Sequence, residues 1–138
     1  MAFLDRASAA SKARGAEYYF DDRVKSCEPF GDGEFAGEVE GSGGELYHVK
    51  INPAHPMSST CTCPPAAGRM IICKHMIAMY FCLSPEQAEA VGRENSRILA
   101  ERRRIKLTVY VHSLTKSELQ DALVEALLKL EENGIYDY

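Results

Sequence analysis

Residues 61–75, Cys61-Thr62-Cys63-Pro64-Pro65-Ala66-Ala67-Gly68-Arg69-Met70-Ile71-Ile72-Cys73-Lys74-His75, are the stretch on which the fold turns. Two cysteines one residue apart, nine intervening residues, then a cysteine and a histidine one residue apart make the pattern CxCx9CxH. Zinc takes four soft or borderline ligands in a tetrahedron, and three thiolates with one imidazole meet that need without water. In an extended segment, side chains two apart point the same way, so Cys61 and Cys63 face one ion together. Cys73 and His75 do likewise from a turn that leads into a helix. Pro64 and Pro65 stiffen one end of the intervening loop and Gly68 loosens the other, which lets the chain reverse around a metal. A Cys61–Cys63 disulfide would close a small strained ring and leave His75 unexplained. One structural zinc is the expectation. A catalytic zinc keeps a position open, whereas this set fills all four.

Working downstream, the apolar run after His75 (Ile77, Met79, Tyr80, Phe81, Leu83) reads as a short buried helix. Ser84, Pro85 and Gln87 carry a capping serine, a proline at the first helical position and a reaching glutamine, so a further helix is expected from 85 to about 103. Leu107, Val109 and Val111 then alternate at period two, a strand pattern that includes His112. Thr115 and Glu118 form a capping box. Beyond it Leu119, Ala122, Leu123, Ala126, Leu127 and Leu130 make a helical apolar stripe that Gly134 ends. Upstream, residues 3 to 19 read as one helix weakened near its end by Gly15. Three strand-like segments, VKSCEPF, FAGEVEG and LYHVKIN, follow, separated by the turns GDGE and GSGGE, which is the pattern of an antiparallel meander. Pro53, Pro56, Pro64 and Pro65 make residues 52 to 72 irregular.

At the ligand residues the sequence resembles the SWIM zinc finger, a ββα module of pattern CxCx(n)CxH found in SNF2-type ATPases and plant MuDR transposases. Cys73, Lys74, His75, Met76, Ile77 and Ala78 look like the start of that family's helix, and Cys61 to Pro64 like its CxCP knuckle. Ala13, Arg14, Gly15, Tyr18, Arg23 and Val24 resemble the RGxxYxxxxRV segment that often precedes the finger in bacterial members. The likeness spans about residues 8 to 83. It implies Cys61, Cys63, Cys73 and His75 as zinc ligands and a binding role toward DNA or protein, with no enzymatic activity of the finger itself.

The remaining composition fits that frame. With 138 residues, 46% hydrophobic and 26% charged, the chain matches an ordinary folded domain. No apolar run spans a bilayer and the first residues lack the order of a secretory signal, so a cytoplasmic location is expected, or a nuclear one in a eukaryote, with no membrane partner. A reducing compartment favours cysteines as metal ligands. No GxxxxGK[ST] loop is present. Cys27 and Cys82 read as small buried hydrophobes, and Cys82 lies two helical turns from His75, too far to share an ion. His55 has no partner at metal spacing. Charge is segregated: residues 51 to 104 hold seven basic and four acidic residues, and both flanks are acidic. Arg69, Lys74, Arg93, Arg97 and Arg104 are therefore the candidate nucleic-acid contacts. The expected architecture is α+β. Residues 1–83 form an N-terminal helix, an antiparallel sheet and the zinc finger, and residues 84–138 a mostly helical extension packed on it. The expected role is a zinc-dependent interaction module for nucleic acid or a nucleic-acid-processing protein, such as an SNF2-type ATPase or a recombination or transposition factor. The alternative is an adaptor that binds protein alone.

Overall fold

Local capping decides where the first helices begin and end. In a computed structural model describing residues 2–135, the segment read as one helix is split into α1 (Ala2–Asp5) and α2 (Ala9–Phe20). Ser8 causes the break: its side chain accepts the Ser11 N–H at 3.1 Å, capping α2 and ending the path from α1. The short α1 still matters, because Phe3 is fully buried and stacks on Tyr80 with ring centroids 4.6 Å apart.

Four antiparallel strands follow in sheet order β1-β2-β3-β4: Glu28–Pro29, Phe35–Glu40, Leu46–Ile51 and Thr60–Cys61. Val39, Val49 and Ile51 lie on the buried face of the central hairpin, as the period-two pattern requires, and His48 points outward beside Glu38. The first strand is shorter than expected. Val24 makes only an isolated bridge to Val39, and the chain at Ser26 crosses Gly37 so closely that a β-carbon there would lie 1.9 Å from the Ser26 carbonyl oxygen. Gly37 is thus fixed by a backbone approach. The proline-rich stretch also departs from expectation. It is irregular up to the turn at Pro56–Ser58, then supplies the fourth strand, whose Thr60 and Cys61 pair with Lys50 and Val49.

The helix after the ligands, α3 (Lys74–Leu83), is the centre of the core. His75, Met76, Ile77, Ala78, Met79 and Phe81 are all buried, between α2 on one side and β2, β3 and β4 on the other. Gly15 takes on a different meaning here. A β-carbon on it would stand 2.5 Å from Ile77 Cγ2 and 3.1 Å from the Lys74 carbonyl oxygen, so its missing side chain is what lets α2 and α3 approach.

The next helix, α4, runs unbroken over Pro85–Ser113. Residues 107–111 are helical, and so is His112, which corrects the strand expectation. The α4 ladder is already propagating, and no glycine or proline lies between Gly92 and Ser113 to stop it. At its start Gln87 does not reach back to Ser84. Its side-chain amide donates instead to the Tyr80 hydroxyl at 3.1 Å, while the Ser84 hydroxyl donates to Glu86. The last helix, α5 (Lys116–Glu132), starts with the expected capping box between Thr115 and Glu118, and Gly134 follows it with a φ of +66°.

The chain divides into two compact units, one up to Ser96 and one from Arg97 onward. The first holds α1, α2, the sheet, α3 and the start of α4. The second holds the rest of α4 and α5, and none of the described residues of α5 is buried. No helix among the described residues is long and apolar enough to cross a membrane.

Candidate metal centre

The four residues singled out from the spacing converge. One ligand atom from each of Cys61, Cys63, Cys73 and His75 can be chosen so that all four lie within 4.8 Å of one another, and all four residues are buried. Strand β4 delivers Cys61 while pairing with Val49, and Thr62 holds the register by accepting the His48 N–H at 2.9 Å. The chain then turns at Cys63, whose carbonyl receives the N–H groups of Ala66 and Ala67. Cys73 is the N-cap of α3, and His75 follows in its first turn.

The distances fit one tetrahedral ion. His75 Nδ1 lies 3.8 Å from Cys61 Sγ and 3.9 Å from Cys73 Sγ. A zinc tetrahedron with sulfur at about 2.3 Å and nitrogen at about 2.0 Å has N···S edges of about 3.5 Å, so small side-chain rotations close the site. His75 therefore offers Nδ1, and its Nε2 is buried without a hydrogen-bond partner among the described residues. Three thiolates and one neutral imidazole fill a zinc coordination sphere, and these residues hold one structural zinc.

Of the three thiols, Cys73 is the one biased toward the ligating thiolate. Cys73 is held well below the ordinary thiol range by a hydrogen bond from Cys61, with further help from His75 and the Met76 N–H. Cys61, on the donating side of that bond, is held far above it, and burial raises it further. Burial chiefly raises Cys63. One proton shared between Cys61 and Cys73 is what a closely packed pair of buried thiols requires, and a cation displaces it. The Cys63 N–H also points at Cys61 Sγ, 3.4 Å away, a backbone donor that favours negative charge on sulfur.

Around the imidazole sits a shell of groups beyond the four ligands. Tyr47 lies against the His75 ring at 4.7 Å between centroids, and Tyr18 meets it edge-on at 5.3 Å. Lys74 Nζ and the Arg23 guanidinium each stand within about 5 Å of the Tyr18 ring centroid, and Arg23 donates to the Gly41 carbonyl at 2.9 Å. A bound zinc with three thiolates carries one net negative charge, which these two cations offset. Gly15, Tyr18, Arg23 and Val24 thus acquire physical roles: close helix approach, packing on the ligand imidazole, charge balance and attachment to the sheet.

The remaining candidates are placed as follows. Arg69 is exposed in the zinc loop, just after Gly68 with its φ of +70°. Lys74 is half-buried over Tyr18. Arg93 is exposed on α4 and faces Glu89 at 3.9 Å. Arg97 and Arg104 are also exposed on α4 and belong to the second unit. Cys82 lies outside the metal cluster, its sulfur directed at the Ala78 carbonyl, and His55 is exposed beside the Pro56 turn.

The SWIM zinc finger family model matches residues 47–84, which run from β3 through β4 and the ligand loop to the end of α3. This segment of the chain is a SWIM zinc finger, a zinc-binding module built on two strands and a helix. No curated protein and no solved structure matches the chain significantly.

Proposed function

We propose that the chain is a non-catalytic binding module whose zinc serves structure, and that its partner is nucleic acid or a protein that processes nucleic acid. The observation that carries this reading is the Cys3His set itself: four buried residues offer ligand atoms within 4.8 Å of one another, enough to fill a zinc tetrahedron without a substrate or an attacking water. Rigid presentation of the surrounding surface is then the use of the metal. That surface includes the exposed Arg69 and a cavity of about 320 Å³ beside the centre, lined among others by Arg14, Lys74 and Tyr18. The exposed Arg93, Arg97 and Arg104 add positive charge along α4. An SNF2-type ATPase or a recombination or transposition factor is the kind of protein such a module would serve, and a reducing cytoplasm or nucleus is where three thiolates persist.

Reading the chain as an adaptor for protein alone gains support from the acidic flanks and from the charges already engaged. Lys74 rests on an aromatic ring and Arg93 on Glu89. The discriminating experiment is a salt titration of duplex DNA and RNA binding by zinc-loaded protein. Three to five phosphate contacts give a slope of log affinity against log salt near -0.9 per contact, hence about -3 to -5. Replacing Arg69 and Lys74 by Glu should weaken binding to every sequence. Absence of binding at about 50 mM salt would overturn the nucleic-acid reading in favour of the adaptor.

A further inference from the structure

The second unit has no core of its own. Val109 and Leu123 are 66% and 60% exposed, and Ile105, Leu119, Val124 and Leu128 are exposed as well. A surface helix is ordinarily covered along its apolar stripe, and a unit of around forty residues needs a staple or a partner to persist. Neither the second half of α4 nor α5 covers the other's stripe, since nothing described in either segment is buried.

Charge identifies what covers them. Between residues 98 and 113, Arg102, Arg103, Arg104 and Lys106 stand against the single Glu101. Over α5, Glu118, Asp121, Glu125, Glu131 and Glu132 stand against Lys116 and Lys129. Apolar residues are interspersed with positive charge on one helix and with negative charge on the next. Pairing α4 with α4, or α5 with α5, would set like charges together, whereas α4 of one chain against α5 of another sets opposite ones together. A two-fold axis makes that contact twice, so a single self-complementary surface covers all four helices. Residues 98–130 supply the number of residues per side that a standard interface uses, about twenty to thirty.

We propose that the second unit is a homodimerisation element, in which α4 and α5 of two copies form a four-helix assembly. The proposal is independent of what the zinc finger binds. Its test is analytical ultracentrifugation of the full zinc-loaded chain between about 1 and 100 µM, without nucleic acid. The expected result is a dimer, lost in Val109→Asp and Leu123→Asp variants that keep one zinc per chain. Two charge-reversed proteins make the test specific for pairing between chains. One carries Arg102→Glu, Arg103→Glu and Lys106→Glu, the other Glu118→Lys, Asp121→Lys and Glu125→Lys. Each alone should be monomeric at 10 µM, and an equimolar mixture should form a heterodimer. A wild-type monomer at 100 µM, a charge-reversed variant that still dimerises alone, or a mixture that stays monomeric would overturn the proposal, as would a wild-type chain that associates only when a different protein is added.

Discussion

Replacing Gly15 by Ala sets two effects against each other whose sizes can be worked out. In the interior of α2 the change removes backbone entropy and favours the helix by about 1 kcal/mol. Against this, the new β-carbon would fall 2.5 Å from Ile77 Cγ2, 2.7 Å from Ile77 Cβ and 3.1 Å from the Lys74 carbonyl oxygen. None of these is the far end of a flexible chain. Ile77 is β-branched, fully buried and fixed on α3, and the carbonyl is backbone one residue before a zinc ligand. Forcing extra volume into such a contact costs about 1–3 kcal/mol, so the net outcome is a loss of up to about 2 kcal/mol in zinc-loaded protein. Urea unfolding followed by circular dichroism reads this directly. A cycle with Ile77→Ala isolates the cause, since that change alone costs about 2–5 kcal/mol but removes the clashing Cγ2. In the Gly15→Ala background it should cost at least about 1 kcal/mol less. A Gly15→Ala protein more stable than the parent, or a cycle with no coupling, would refute the close approach of α2 and α3.

Other expectations concern the ligands and their surroundings. Cys73→Ser should abolish stoichiometric zinc binding while Cys82→Ser keeps one zinc per chain, as metal analysis after gel filtration would show; equal loss in both contradicts the ligand set. Strong chelator should release amide protons of residues 52–83 before those elsewhere, because metal binding and ordering of the knuckle share one free energy. Unchanged hydrogen exchange in that stretch would count against it. Burial, with smaller contributions from Cys82 and Glu28, pushes the Cys27 thiol up to about 11. A raised thiol pKa leaves only about one molecule in a thousand as thiolate at pH 8, so alkylation of Cys27 should quicken about tenfold per pH unit up to near pH 11. A plateau by pH 9 would show an ordinary thiol.

How much of this was legible in the sequence depended on whether the signal was local. Paired ligands around a tight loop announce themselves, because the metal demands a narrow set of residue types at short spacings, and Cys61, Cys63, Cys73 and His75 do converge. The capping box at Thr115 and the glycine end of α5 are equally local. Residues 107–111 carry a strand pattern yet are helical, because β-branched alternation is a weak preference that an established helix overrides. The two-residue strand at Thr60 was hidden among prolines, and only the sheet edge offered by β3 reveals it. Gly15 looked like a helix flaw until Ile77 stood opposite it. Tyr18 and Tyr47 on the His75 ring, and Arg23 on Tyr18, come together from distant parts of the chain, so no local spacing discloses these contacts.

X-ray absorption at the zinc edge of the purified full chain is the most direct test of the closed four-ligand zinc centre. The prediction is one zinc per chain with three sulfurs at about 2.3 Å, one nitrogen at about 2.0 Å and no exchangeable oxygen. An oxygen in the coordination sphere, or fewer than three sulfurs, would contradict the closed centre and reopen the question of catalysis.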